Sequence, residues 1–204
     1  MLISFYNNIS TKPAKLAGQS IAYKGGLPLK MKEDFFAKSR NGHLLKDTFN
    51  RETKTLDIYS SGLYPANVLS NLAPKNFCFD GVECASMEGF LQSLKFRDKS
   101  KQREVCKLYG GSAKDSAKKA TEWLKTHKLY WLGKEYDRFS QHYHRLLIRA
   151  YKACYEQNDL FKQALDSTKG ITLTHTGGKT NSAETIITQS EFTSILTALR
   201  DKKI

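Results

Sequence analysis

The sequence predicts an α+β fold that is mainly helical, with two or three short strands. Apolar residues recur at helical spacing between Phe139 and Cys154. An Asp80-Gly81 pair separates two short apolar runs, which is typical of a β-hairpin. The chain has 204 residues, of which 40% are hydrophobic and 11% aromatic, so a packed core is expected. One domain with an N-terminal extension is the simplest organisation.

The predicted elements follow in order along the chain. Residues 1–55 are expected to form a basic N-terminal extension with a turn at 24–26, and residues 56–204 the main domain. A short strand at 56–59 precedes a turn-rich loop, and the hairpin pairs 76–79 with 82–84. Ser86 is expected to cap a helix to residue 96. The remaining expectations are helices at 99–109, 113–126 (with a capping box of Ser112 and Asp115), 137–157 and 159–167, a strand at 171–174, and a final helix from Ser190 to about 202.

The net charge of +13 makes an anionic partner plausible. Basic residues are in excess in 1–55 and 97–134, whereas residues 56–96 hold more acidic than basic side chains. That distribution suits a carboxylate site surrounded by lysines that attract an anion. The alternative is the ordinary solvated surface of a lysine-rich protein.

The four cysteines, at positions 78, 84, 106 and 154, form no C-x-x-C pair, so a structural zinc site is not expected, nor any cofactor. Cys78 and Cys84 lie in a strand-like pattern and are expected to fill the core. With no signal-peptide pattern at the start and no apolar run of membrane-spanning length, a cytoplasmic protein with reduced thiols is predicted.

The helix after Ser86 carries a polar stripe beside its apolar one. Glu88, Gln92 and Lys95 fall at positions i, i+4 and i+7 and therefore share one face. A carboxylate, an amide and an ammonium in register can bind and act on a polar ligand. The alternative is a solvated face with one weak interaction between Glu88 and Lys95.

Short motifs occur in a fixed order through this region. They are Tyr59-Ser60, Ser70-Asn71-Leu72, Asp80-Gly81, the helix from Ser86 to Phe96 that contains Glu88-Gly89-Phe90-Leu91-Gln92, and Ser112-Ala113-Lys114. With 149–176 and 195–200, this combination resembles the YbiA-like, or NADAR, family over residues 56–200. The resemblance implies a YbiA-like helical domain. This chain departs from the family pattern at Gly89, where a His is common, at Tyr136, where a Trp is common, and in the loop 177–190. That loop lacks the family's acid and Trp-Gly, for which Glu184 or His175 are candidate replacements.

The resemblance implies an enzyme that cleaves N-glycosidic bonds. Family activities act on phosphoribosyl intermediates of riboflavin synthesis or between ADP-ribose and guanine in modified nucleic acid. Glu88 is then the candidate that stabilises an oxocarbenium ion and activates water. Lys95 is the second catalytic candidate, as a phosphate contact, as an acid for the leaving base or as a Schiff-base amine. Candidate substrate-binding residues are Tyr59, Ser60, Asn71, Gln92, Tyr136 and His175.

Each binding candidate has a structural alternative, such as loop capping for Asn71 or a core ring for Tyr136. Three functions remain open: an N-glycosidase (ADP-ribosyl glycohydrolase type) on an ADP-ribosylated base, expected to be guanine in DNA or RNA; an N-glycosidase on phosphoribosyl riboflavin intermediates; and a non-catalytic module that binds ADP-ribose or nucleic acid. No membrane partner is expected, and the sequence assigns no oligomeric state.

Overall fold

The computed structural model describes residues 45–204. The predicted turn at 24–26 and the rest of the predicted extension up to residue 44 lie outside the described residues. The domain boundary at 55/56 stays a prediction. None of the helices within 45–204 has the length and apolar character needed to span a lipid bilayer.

A small three-stranded sheet brings residues 49–57 together with residues 172–174. Strand β1 (Phe49–Asn50) pairs antiparallel with β2 (Thr55–Asp57), and β2 pairs parallel with β7 (Thr172–Thr174). The register places Leu56 opposite Leu173, and both side chains are buried. The predicted strand at 56–59 therefore begins one residue earlier and ends at Asp57.

The predicted hairpin is present. Strands β3 (Phe77–Phe79) and β4 (Val82–Cys84) pair antiparallel around the two-residue turn. Asp80 has φ 48° and Gly81 has φ 75°, so both residues occupy the left-handed region that such a turn requires. A short helix α1 (Ala66–Leu69) lies in the preceding loop, where none was predicted.

Helix α2 (Met87–Ser93) begins as predicted. The Ser86 hydroxyl accepts a hydrogen bond from the Gly89 N–H at 2.9 Å and donates one to Leu108 O at 2.8 Å. Helix α3 (Lys99–Cys106) follows and packs on α2. A Cβ on Gly89 would lie 2.6 Å from Leu108 O, so the backbone after α3 leaves no room for a side chain there. A histidine at this position, common in the YbiA-like pattern, would not fit this packing.

The predicted single helix at 113–126 is wrong. Two short helices, α4 (Gly110–Ser116) and α5 (Glu122–Thr126), occupy the region, with a break between them. The Ser112–Asp115 capping box is also wrong, because α4 begins after Tyr109 and has no side-chain cap. A second hairpin that was not predicted follows, made of β5 (Lys128–Trp131) and β6 (Lys134–Asp137).

The helices of the C-terminal half complete a core to which both halves of the described chain contribute. Helices α6 (Gln141–Gln157) and α7 (Asp159–Asp166) are capped by Ser140 and Asn158. Helix α8 (Gln189–Arg200) is capped by Thr188 in a capping box, not by Ser190 as predicted. Side chains of α6 that are buried in the core are Tyr143, Leu146, Leu147, Ala150, Tyr151 and Cys154.

A buried ion pair fastens the last loop and α8 to the β6–α6 junction. The Arg138 guanidinium, 1% exposed, bonds to both carboxylate oxygens of Glu191 at 2.9 and 2.6 Å. Its Nε also donates to Thr185 O at 2.8 Å. Burial alone would raise the pKa of Glu191, but hydrogen bonds from Arg138 and Thr188 lower it to about 2.

Candidate active site

Glu88 lies in the first turn of α2, which fixes its backbone between two loops. Its N–H donates to Asn71 O at 2.9 Å, so the loop before β3 holds the start of the helix. The residue is half-buried. The backbone of the first predicted catalytic residue is therefore bound to the loop that carries a second candidate, Asn71.

Gln92 lies one turn further along α2 and contacts Glu88 directly. Its Nε2 donates to Glu88 Oε1 at 2.8 Å. Gln92 is 9% exposed, and its Oε1 has no hydrogen-bond partner among the described residues. An unsatisfied buried acceptor is costly, so this atom stands out in the site.

The carboxyl group of Glu88 is held in a low-polarity setting. Burial raises the pKa of Glu88 above its ordinary value, against the hydrogen bond from Gln92 and the charges of Lys95, Lys114 and His175. The position of Glu88 in the first helical turn favours ionisation, but the loss of hydration outweighs it. A carboxylate whose pKa is raised is a stronger base than an exposed one.

Lys95 lies at the end of the same stripe. Its Nζ is 5.6 Å from the centroid of the Trp123 ring, a cation–π arrangement. Burial lowers the pKa of Lys95, opposed by the charge of Glu88. Desolvation is the larger of the two effects, so the net pKa of Lys95 lies below its ordinary value.

Asn71 links the site to the long helix. Its Oδ1 accepts a hydrogen bond of 2.8 Å from the Tyr151 hydroxyl, and Tyr151 is fully buried in α6. Burial raises the pKa of Tyr151 well above its ordinary value, opposed by the hydrogen bond to Asn71. The phenol therefore stays protonated and remains a donor to Asn71.

His175 follows β7 and enters the site from the C-terminal half. Its Nδ1 lies 2.7 Å from Ile58 O, which can only accept, so Nδ1 carries the proton. The ring packs edge-on to Phe192 at 5.2 Å between centroids. His175 lowers the pKa of Glu88, so two predicted site residues 87 positions apart in sequence are within electrostatic range.

Tyr59 and Ser60 lie on the exposed surface after β2. Tyr59 is 43% exposed, and a Cβ on Gly177 would lie 2.6 Å from Tyr59 Cε2. The loop 177–190 thus begins against the edge of this ring, next to His175.

Tyr136 is not brought to the stripe by any contact of the described residues. It lies in β6, is 8% exposed, and Lys134 Nζ is 5.2 Å from its ring centroid. Burial raises its pKa, and the charged groups that act on it are Arg149 and Asp80. Glu184, the other candidate replacement, is bound on the surface by Lys179 and Asn181.

Two lysines that sequence reasoning left out act on Glu88. Lys114, exposed on α4, lowers the Glu88 pKa. Lys75 is 1% exposed, donates to Ser70 O and lies 5.2 Å from the Phe161 ring centroid. Burial lowers the pKa of Lys75 to about 8, opposed by Cys154 and Glu88. Its one signal in the sequence is that it is one of only two lysines in the acidic segment 56–96, the other being Lys95.

The arrangement places the half-buried Glu88 carboxyl within electrostatic range of Lys95, Lys114 and His175, which come from three different segments. It can stabilise a positive centre, accept a proton from water and hold an anionic substituent nearby. Residues 45–204 contain no cluster of three His, Cys, Asp or Glu side chains that could hold a metal ion.

Comparison with known proteins identifies relatives. Residues 63–201 match the model of the family described as bacteriophage protein GP30.3. An uncharacterized 17.1 kDa protein in the Gp30-rIII intergenic region of Enterobacteria phage T4 is 34% identical over 148 residues, covering 72% of this chain and 97% of that protein.

A solved structure shares the fold. The chain superposes on the NMR structure of the E. coli protein YbiA with a TM-score of 0.51 and 16% identity, covering 78% of this chain and 89% of YbiA. The predicted YbiA-like, mainly helical α+β fold is confirmed.

Proposed function

This chain belongs to the bacteriophage protein GP30.3 family, and from that premise, its YbiA-like fold and the Glu88 site we propose that it is an N-glycosidase. It hydrolyses the bond between ribose C1 and the nitrogen of an ADP-ribosylated base, which we assign as guanine in nucleic acid. The observation that carries the proposal is the half-buried Glu88 carboxyl, which accepts a hydrogen bond from Gln92 and whose pKa is lowered by Lys95, Lys114 and His175 against the effect of burial.

Cleavage of a ribose C1–N bond builds positive charge at C1. The electron pair of the broken bond leaves with the base, which takes up a proton. The ionised Glu88 carboxylate stabilises the oxocarbenium ion, and it accepts a proton from the water whose oxygen adds to C1. The raised pKa of Glu88 suits this second step, because a more basic carboxylate takes the proton more readily.

Lys95 supplies the complementary charge. With a lowered pKa, its ammonium gives up a proton more readily than an exposed lysine, which suits protonation of the leaving base. The same property suits attack on an opened ribose as a free amine. Borohydride added during turnover separates the two roles, because it traps a Schiff base as a stable adduct on Lys95 and leaves an acid unmodified.

The charge distribution supports a nucleic-acid substrate. The surplus of +13 includes Lys114, which lowers the pKa of Glu88, and four further lysines between the end of α3 and α5, Lys107, Lys118, Lys119 and Lys125. Phosphate contacts to such side chains supply affinity without reading sequence. The diphosphate of ADP-ribose is the nearer anion, and the phosphodiester backbone is the second.

The test is incubation of the full chain with an oligonucleotide ADP-ribosylated on guanine, with NAD and with a phosphoribosyl aminopyrimidine, read by mass. We expect free ADP-ribose and unmodified oligonucleotide. Glu88→Gln should abolish turnover with the fold intact. Glu122→Gln, which changes an exposed carboxylate in the first turn of α5, should leave turnover unchanged.

Each of the other outcomes would overturn one part of the proposed function. Turnover of the aminopyrimidine alone replaces the nucleic-acid substrate with a riboflavin intermediate. Binding of ADP-ribose without any turnover makes the chain a binding module. Near-normal turnover in Glu88→Gln refutes the assignment of the site.

A further inference from the structure

Only one of the two polar atoms of the Gln92 side-chain amide has a hydrogen-bond partner among the described residues. One end, Nε2, donates to Glu88 Oε1 at 2.8 Å. The other end, Oε1, is buried and has no partner among residues 45–204. Since Nε2 is the atom that can donate to a carboxylate, the bond to Glu88 fixes which end of the amide is left over.

Gln92 Oε1 is a buried acceptor without a donor in the part of the chain that the structure describes. Leaving it unsatisfied costs free energy, and a ligand that brings an O–H or N–H to it gains the full bond. Gln92 is already held by Glu88 and by its buried place in α2, so little side-chain freedom is lost when a donor arrives. The atom is thus prepared to accept a hydrogen bond from a ligand at Glu88.

Resting on the proposed function, we propose that Gln92 Oε1 accepts a hydrogen bond from the hydroxyl on the ribose carbon next to C1, and that the site therefore selects ribosyl over 2-deoxyribosyl substrates. The carboxylate that stabilises C1 contacts this amide, and the 2-hydroxyl is the sugar donor one bond from C1. Hydrogen bonds to this hydroxyl strengthen as an oxocarbenium ion develops, because the hydroxyl becomes more acidic.

The choice has a consequence for substrate class. A site built to bond a hydroxyl discriminates strongly against the analogue that lacks it, because the protein acceptor is then left unpaired. Ordinary 2-deoxynucleosides in DNA would be rejected as substrates, whereas a ribosyl group attached to a DNA base would be accepted. Gln92 would protect unmodified DNA from base loss.

The experiment measures equilibrium binding by titration calorimetry, without turnover. The probes are ADP-ribose and the analogue that lacks the 2-hydroxyl of the distal ribose, and the proteins are the wild type, Gln92→Met and Gln163→Met. Gln163 is exposed on α7 and gives a matched control. We expect the wild type and Gln163→Met to bind the analogue roughly tenfold or more weakly than ADP-ribose, and Gln92→Met to bind both within about twofold of each other.

The difference between the two probes separates recognition from a structural role. If Gln92 only supported Glu88, Gln92→Met would weaken both probes equally and keep the wild-type ratio, which would overturn the proposal. Equal binding of both probes by the wild type would also overturn it. If the wild type binds neither probe, the proposed function fails and this inference fails with it. Selective binding without turnover leaves the inference standing and rejects the catalytic role.

Discussion

The Tyr151 hydroxyl donates a hydrogen bond of 2.8 Å to Asn71 Oδ1, across 80 residues of sequence. Asn71 in turn accepts the Glu88 N–H through its own carbonyl at 2.9 Å. The long core helix is thereby connected to the candidate catalytic residue through a single asparagine. Removal of the buried Tyr151 hydroxyl should therefore alter the position of Glu88.

Tyr151→Phe removes that donor and keeps the ring. We expect the free energy of unfolding to fall by about 1 kcal/mol and kcat to fall roughly fivefold to tenfold, since Asn71 loses its anchor. Tyr155→Phe is the matched control. Tyr155 lies on α6, as Tyr151 does, and its hydroxyl donates a hydrogen bond of the same length, 2.8 Å, to Asp166 on α7. That variant should lose stability without losing kcat. Equal kcat in both variants would contradict the connection.

Glu88→Gln should not destabilise the protein at pH 8. Because burial raises the pKa of Glu88 in the folded state, its ionisation opposes folding as pH rises from the unfolded pKa through the folded one. Removing the charge relieves that cost. We expect a thermal midpoint equal to or above that of the wild type at pH 8, with the difference vanishing below about pH 4, where a glutamate of the unfolded chain becomes protonated. Scanning calorimetry at both pH values checks this, and a lower midpoint at pH 8 would count against a desolvated carboxylate.

Arg138→Met should be strongly destabilising, because it leaves the Glu191 carboxylate without its buried partner. Loss of one member of a buried pair costs about 3–5 kcal/mol. The exposed pair Lys101–Glu104, at 2.9 Å, is the control, and Lys101→Met should cost less than about 1 kcal/mol. Urea unfolding at pH 7 measures both. Similar losses would show that burial of the pair is unimportant.

The Arg138–Glu191 pair also makes the stability of the folded protein depend on pH in acid. The Glu191 pKa of about 2 lies below that of an unfolded chain, so its stabilisation is complete above about pH 4.5 and is lost as the pH falls towards 2. We expect the wild type to lose stability in this window more steeply than Glu191→Gln. Parallel urea titrations from pH 5 to pH 2 test it, and equal slopes would exclude Glu191 as the cause.

Gly89→Ala should destabilise the junction of α2 and α3. The new Cβ would meet backbone carbonyls of Leu108, Val105 and Cys106 at 2.6 to 3.0 Å, and backbone cannot rotate away. Overpacking of about 1–3 kcal/mol exceeds the gain in helix propensity of about 1 kcal/mol. Gly111→Ala in α4 meets no atom within 4 Å and should be neutral or stabilising. The midpoints of urea unfolding of the two variants test this difference. Stabilisation by both substitutions would refute the close packing of Gly89 against the backbone after α3.

Activity on ADP-ribosylated oligonucleotide should fall steeply with salt, because phosphate contacts release counterions. Activity on ADP-ribosylated guanosine should change little. Initial rates from 50 to 200 mM salt give the comparison, with losses of about tenfold or more for the oligonucleotide. A flat response for both substrates would exclude a phosphodiester contact.

Local signals in the sequence were sufficient for the first half of the site. Asp80-Gly81 predicts its hairpin because the turn needs two left-handed residues, and Ser86 predicts the start of α2 because its hydroxyl satisfies a free N–H. The spacing of Glu88 and Gln92 predicts their contact, which the structure contains. These features depend on residues at most four positions apart.

Features that depend on distant residues could not be predicted this way. The β5–β6 hairpin turns at Leu132-Gly133, both at positive φ, and leucine gives no turn signal. The break at residues 117–121 and the Lys75 environment arise from packing. The action of His175 on Glu88 requires the chain to return through β7, which local pattern does not specify.

The parallel pairing of β2 with β7 sets the order of events during synthesis. Thr55 pairs with Thr172 across more than half of the chain, so this contact forms only after nearly the whole domain has left the ribosome. Glu88 emerges early, but His175 and the partner of β2 emerge together near the end. A prematurely terminated chain would therefore contain helix α2 with Glu88 but lack β7, and the candidate site would be complete only after this late step.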